Sequence, residues 1–236
     1  MKDSKHEVTK PKTRTAKGLF RATGKHSKQV ACLGLDGNIT KHDGLTRETD
    51  DFYPTPPEPT RAIIKAEYER LKDFDLIWEP AAGDGAMCRE LKRAGFQTFA
   101  SDLVDRGCNA EIKSFYDYRI APASAIVTNP PFKECNLDKG WIRHALETLK
   151  TEYMLLLLPL NWVGSAKERG KLWWDHTPSR IYAMRWRIDF TGQGAPPMQN
   201  AWFCWDKKQT KQTTFHVIDR DDDICKSTLF DNSEAA

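Results

Sequence analysis

A chain of 236 residues, 39% hydrophobic and with a mean hydropathy of −0.64, is long enough for one domain with a substantial core plus polar arms. Its longest apolar run, Met154–Leu160, has seven residues and contains a proline, far short of the roughly 20 that span a bilayer. The polar, basic N-terminus carries no hydrophobic signal segment, so a soluble, cytoplasmic protein without membrane contact is expected.

The net charge of +3 is unevenly spread. Nine Lys/Arg against Asp3 and Glu7 give residues 1–30 a charge of +7, which leaves −4 (3 − 7) for the rest. Residues 1–49 read as a basic arm, with few apolar positions and no periodicity at its start, and therefore as disordered. Such an arm either touches phosphates in a salt-dependent way or serves as a solubilising tail. The six cysteines form no C-x-x-C pair and are expected as reduced thiols. The six histidines do not join them at ligand spacing, which argues against a zinc site.

The ordered domain is expected over residues 50–207, with a polar tail over 208–236. Leu76–Glu79 is a short apolar strand ending at Pro80, and Ala86–Ala94 a helix closed by Gly95. Gln97–Leu103 and Ala125–Asn129 read as strands, Trp141–Lys150 as a helix and Tyr153–Pro159 as a strand. Ser165–Trp174 then reads as a helix, followed by the strands Ile181–Trp186 and Ala201–Trp205. This alternation predicts an α/β fold, a parallel sheet with helices on both faces.

Two stretches carry chemistry. In IWEPAAGDGAM (Ile77–Met87), Gly83 and Gly85 permit a sharp turn and close approach of a ligand to the backbone, or answer a purely structural need. The N–H groups of the following helix suit an anion, and Glu79 is placed to bind a cation or orient the loop. Asp102 ends the next strand about 20 residues further on, where doubly wound folds place an acid on ribose hydroxyls; the alternative is a solvent-facing aspartate. The second stretch is AIVTNPPF (Ala125–Phe132). Two prolines end a buried strand and fix an amide before them and a ring after them at the sheet's ligand-binding edge.

Together, E-P-A-A-G-D-G, the acid at the next strand's end and N-P-P-F 46 residues after Gly83 (129 − 83) resemble S-adenosylmethionine-dependent methyltransferases acting on exocyclic amino groups. The N-P-P-F form is most similar to enzymes that methylate the N6 amino group of adenine. DDFYPTPPEPTRAII (Asp50–Ile64) resembles the segment that such enzymes close over the cofactor. RWRIDFTG (Arg185–Gly192) and NAWFCWD (Asn200–Asp206) look like stretches of small phage- and prophage-encoded DNA methyltransferases. The resemblance spans about residues 50–207.

It implies a Rossmann-like class I methyltransferase with a mostly parallel seven-stranded sheet, S-adenosylmethionine as cofactor and DNA as partner. Asn129 and the Pro130 carbonyl would accept the two amino hydrogens of adenine, with Pro131 holding that geometry and Phe132 stacking on the base. Phe52 and Thr55 would border the cofactor, Glu79, Ala81 and Gly83 its methionine portion, and Asp102 its ribose. Asp117 either contacts the cofactor's adenine or is a loop acid. Between Asn161 and Gln199, Trp162, Trp173, Trp174, Trp186, Arg180, Arg185 and Arg187 either bind nucleic acid or complete the core. The same chemistry on RNA, a nucleic-acid-binding protein of this fold without turnover, and a small-molecule or protein methyltransferase are the rival readings.

Overall fold

The structure, a computed structural model, describes residues 31–33, 39–41, 54–135, 139–164, 167–190, 198–209 and 212–220, with backbone alone for 31–33, 39–41 and 167–170. Two units divide the chain, residues 1–50 and 51–236. In the first, β1 (Ala31–Leu33) and β2 (Ile39–Lys41) pair antiparallel with Cys32 opposite Thr40. Paired strands therefore occur within the segment that its composition marks as a disordered arm.

The second unit starts with α1 (Pro57–Leu71), a helix within and beyond the Thr-Pro segment. Pro57 occupies the first helical position, where a missing N–H costs nothing, and Glu58 and Arg70 complement the two ends of the helix dipole. Its buried residues Pro59, Thr60, Ile63, Ile64, Glu67 and Leu71 recur every three or four positions and define one inward face. There follow β3 (Ile77–Glu79), α2 (Ala86–Arg93), β4 (Thr98–Asp102), β5 (Glu111–Ile112) and a 3-10 turn, Phe115–Asp117. Next come β6 (Ala125–Thr128), α3 (Trp141–Arg143, continued as a π-helical turn over His144–Thr148), β7 (Tyr153–Pro159) and α4 (Lys167–Asp175). The last strands are β8 (Arg180–Met184), β9 (Asn200–Asp206) and β10 (Thr214–Ile218).

Among the described residues, β3 to β10 form one eight-stranded sheet in the order β10-β8-β9-β7-β6-β3-β4-β5. Only β9 runs against its neighbours, β7 and β8; the other pairs are parallel. The strand order reverses between β3 and β6, and open α/β sheets bind their ligands outside the carboxyl ends of the strands at such a reversal. Seven strands are expected from the sequence and eight are found. The eighth, β10, pairs with β8 from Thr214↔Arg180 to Ile218↔Met184, beyond the expected domain end at 207. Its residues are exposed or half-buried, so it lacks the apolar run by which a central strand is recognised.

Every residue of β6, β7 and β9 is buried, and alternate residues serve two cores. Ile126, Met154, Leu156, Leu158 and Phe203 pack with Phe115, Trp141 and Ile142. Val127, Leu155, Leu157 and Trp202 pack with Ile63, Ile64 and Leu71 of α1 and Met87 and Leu91 of α2. Full burial of each such side chain contributes about 1.5–3 kcal/mol. Core packing also claims part of the aromatic and basic interval: Trp162 is buried, Trp173 and Trp186 pack against the cores, and Arg180 is buried. Trp174, by contrast, is 88% exposed.

A buried charge network fixes α1 on the sheet. Arg180 donates to both oxygens of Glu67, at 2.5 and 3.0 Å, and to Asp206 at 2.9 Å. Arg70 donates to Asp206 at 3.1 Å, and the Tyr182 hydroxyl also donates to Glu67. Burial by itself would raise the Asp206 carboxyl, but hydrogen bonds from Arg70 and Arg180 hold it below its ordinary value. Arg180→Ala leaves the buried Glu67 without a cationic partner and Asp206 with Arg70 alone, and is expected to lower the unfolding free energy by about 3–5 kcal/mol. Urea denaturation measures this, and an unchanged midpoint contradicts the tether.

Candidate active site

At the carboxyl end of β3 the chain turns through Pro80–Gly85 into α2. Gly83 and Gly85 take φ of 55° and 77°, the left-handed region that other residues rarely adopt. At Gly85 a side chain is also excluded by packing, because a Cβ there would lie 2.9 Å from Cys108 Cβ. The turn is held from below and beside. Ala82 N–H donates to the Ser101 carbonyl at 3.1 Å, Gly83 N–H to Asp102 Oδ2 at 2.8 Å, and the Cys108 thiol to the Gly83 carbonyl at 3.2 Å. Asp84 Oδ1 accepts the Ala86 N–H at 3.0 Å, so this carboxylate caps the first turn of α2 where Gly85 has no side chain to do so.

Asp102 thus has a structural task in addition to the ribose role its position suggests. Its second oxygen accepts the Val104 N–H at 2.9 Å, so the carboxylate ties the glycine turn to the segment after β4. Each oxygen retains a further lone pair for a ligand hydroxyl. Glu79, at the end of β3, is only 2% exposed and accepts the Cys88 thiol at 3.2 Å. Burial pushes its carboxyl well above the usual range, and Asp102 and Asp84 nearby add to that effect. A cationic group arriving beside Glu79 would compensate the cost of ionising it. Ala81 is half-buried against the aromatic core. Asp117 ends its 3-10 turn with an exposed side chain, and Phe52 lies outside the described residues.

The Asn-Pro-Pro-Phe segment follows β6 at the same edge of the sheet. Asn129 donates from Nδ2 to the Thr55 hydroxyl at 3.1 Å, and its Oδ1 is buried with no hydrogen-bond partner. One end of the amide is therefore fixed by the residue two positions before α1, and the other is an unused acceptor. Pro130 is buried, and the Pro131 carbonyl accepts the Glu134 N–H at 3.0 Å, closing a tight turn. Phe132 is half-buried against the core that contains Trp78, Phe115 and Trp141. The Tyr116 hydroxyl donates to Glu134 at 2.7 Å and ties this turn to the one carrying Asp117.

The structure thus brings Thr55 onto Asn129 and Gly83 onto Asp102, with Glu79 at the root of the same turn. Supporting residues that sequence reading passed over are Asp84, Cys88, Cys108 and Glu134. For Cys88 a signal existed, since it lies in the first turn of α2, just after the glycine turn. Asp84 caps α2 locally, whereas Cys108 and Glu134 come into place only through tertiary contacts.

Solved structures with this arrangement of strands and helices come from several organisms. A type I restriction-modification system methyltransferase subunit from Streptococcus thermophilus superposes with a TM-score of 0.52 at 12% identity, over 70% of this chain. The present chain spans about half (47%) of the length of that protein. An assigned class I S-adenosylmethionine-dependent methyltransferase of Listeria monocytogenes gives 0.50 at 13% identity, covering 91% of this chain and 73% of its own. An assigned RNA methyltransferase of Pyrococcus horikoshii gives 0.50 at 14% identity, covering 66% and 86%. No protein-family model and no curated protein matches the sequence. The fold is that of class I S-adenosylmethionine-dependent methyltransferases.

Asp102→Ala removes the acceptor of both the Gly83 and Val104 N–H groups. Water reaches this half-buried position, so the expected loss of stability is about 1–3 kcal/mol, with Asp102→Asn costing less because one acceptor oxygen remains. Chemical denaturation of the three proteins checks the order, and equal stability of wild type and Asp102→Ala would contradict it.

Proposed function

We propose that this protein transfers a methyl group from S-adenosylmethionine to the exocyclic N6 amino group of adenine in DNA. The observation that carries this reading is Asn129, an amide whose nitrogen is held by Thr55 and whose buried oxygen has no partner. A buried acceptor that no protein group satisfies costs about 1–3 kcal/mol, so a donor brought by a ligand suits this position. An amino group supplies that donor. The N-P-P-F form and the C-terminal aromatic stretches favour adenine in DNA over other amino-group targets.

The glycine turn fits the cofactor. Glu79 at its root suits a cationic α-amino group, Asp102 at the next strand's end suits a ribose diol, and Gly83 lets the turn between them take a left-handed conformation. Thr55 borders the same crevice. When bound, S-adenosylmethionine supplies an electrophilic methyl group on a sulfonium.

This chain's residues then have to activate a poor nucleophile, because the lone pair of an aromatic amino group is delocalised into its ring. Asn129 Oδ1 accepts one amino hydrogen and the Pro130 carbonyl the other, drawing nitrogen toward tetrahedral geometry. The buried Pro130, the half-buried Pro131 and the turn closed by Glu134 keep both acceptors in place, so little reorganisation is needed in the transition state. Phe132 stacks on the base and aligns it with the methyl donor. In duplex DNA the adenine must first be extruded from the stack.

Asn129→Ala is expected to lower methyl transfer to DNA at least 100-fold, the magnitude associated with loss of one preorganised transition-state partner. Affinity for S-adenosylmethionine, followed by calorimetry, stays within about threefold of wild type, a change of under 1 kcal/mol. Transfer at the wild-type rate would refute the role of Asn129. Loss of cofactor binding together with activity would show Asn129 to be structural.

A further inference from the structure

The eight-stranded sheet ends in two unlike edges. On one side stands β5, two residues long with an exposed Glu111, features that discourage pairing with another chain. On the other stands β10, five residues in unbroken register with β8 and free of proline, lysine and bulge. Among the described residues, no strand pairs with its outer side. An edge this long and regular is a template for strand addition.

Backbone directions show what that edge offers. Thr214 N–H donates to the Ser179 carbonyl at 3.0 Å, and the Ile218 carbonyl accepts the Arg185 N–H at 3.0 Å, so both residues turn their backbone groups toward β8. Successive residues of a strand turn theirs to opposite edges, which leaves the N–H and C=O groups of Phe215 and Val217 pointing outward. Their side chains are exposed as well, each by 61%. The register sets Phe215 beside Ile181 and Val217 beside Ala183 on one face of the sheet, and those two neighbours are buried. An apolar strip thus continues from the core onto an uncovered strand.

We propose that β10 pairs antiparallel with β10 of a second copy of this chain, around a two-fold axis through His216. In that register Phe215 faces Val217 of the second copy, and Val217 faces its Phe215. Both are residues with outward backbone groups, so each is a hydrogen-bonded pair that exchanges two N–H···O bonds, and every outward group of Phe215 and Val217 is used. An aromatic ring lies opposite a β-branched side chain in each pair, a favourable cross-strand combination. Other registers fit worse. A slip of one residue sets Phe215 against groups already committed to β8, and a slip of two sets it opposite Asp219 or sets Val217 opposite Thr213. The contact is isologous and closes on itself, since the β5 edge offers no matching strand. Its area is small beside that of a permanent interface, so the dimer is expected to exchange with monomer at micromolar concentrations.

Sedimentation velocity of the full chain, from micromolar to several hundred micromolar, tests this. A monomer–dimer equilibrium is expected. Val217→Pro removes an outward N–H and no bond to β8, at a position where an edge strand accepts proline. It is expected to keep the melting temperature and to weaken dimerisation by roughly tenfold or more. His216→Cys supplies a gain of signal. At the axis the two thiols meet across a non-hydrogen-bonded pair with roughly 4.5 Å between Cα atoms, within reach of a disulfide. Mild oxidation is expected to cross-link this variant, whereas Thr214→Cys, placed opposite Ile218 of the second copy, stays at the wild-type background. Wild-type protein that is monomeric throughout overturns the assignment, as do a dimer that Val217→Pro leaves intact and equal cross-linking of the two cysteine variants. A monomeric wild type that dimerises only when residues 221–236 are deleted overturns it too, and gives the edge to that segment.

Discussion

A guanidinium buried between two carboxylates on different elements sets the geometry of this protein. Arg180 on β8 holds Glu67 of α1 and Asp206 of β9, and Arg70 of α1 holds Asp206 from the other side. Desolvating these charges offsets much of their mutual attraction, so the network contributes position more than net stability. The apolar face of α1, with Ile63, Ile64 and Leu71, supplies the stability. Position is what the crevice needs. With the C-terminal half of α1 locked and Trp202 bonded to the Pro59 carbonyl, the segment before the helix is carried to the edge of the sheet. There the Thr55 hydroxyl meets Asn129 and turns its oxygen into an unused acceptor.

The glycine turn obeys the same logic from the other side of β6. Its backbone is fixed by Asp102, Ser101 and Cys108, side chains and carbonyls of the neighbouring strand and the loop after it. A cofactor would therefore meet a turn already in shape, and the entropic cost of ordering it has been met during folding. Glu79 stands apart, because its burial disfavours the charged form, a preference that a cation bound beside it would reverse.

Much of this was legible in the amino-acid sequence, for identifiable reasons. The apolar runs of β3, β6 and β7 admit no helix, and their flanking Pro, Gly and Asn residues mark the ends. Tyr153–Pro159 is found as read, and the N-P-P-F and glycine segments follow β6 and β3 at the carboxyl edge of the sheet. The helix α1 was concealed by the prolines at positions 54, 56, 57 and 59, which suggest an extended segment although Pro57 is well suited to a first helical turn. The eighth strand was concealed by polarity, since β10 pairs only with β8 and stays largely exposed. Of the Trp-rich interval between residues 161 and 199, composition could not separate core from surface; packing assigns Trp162 and Trp173 to the core and leaves Trp174 outside.

The central claim is that the crevice between β3 and β6 activates an adenine amino group toward a methyl donor. Its most direct test is to incubate the purified protein with methyl-labelled S-adenosylmethionine and unmethylated duplex DNA, single-stranded DNA or total RNA, then identify the labelled nucleoside by mass spectrometry. The account predicts N6-methyldeoxyadenosine from DNA. Label on cytosine, label confined to RNA, or cofactor bound with no label in any nucleic acid would contradict it.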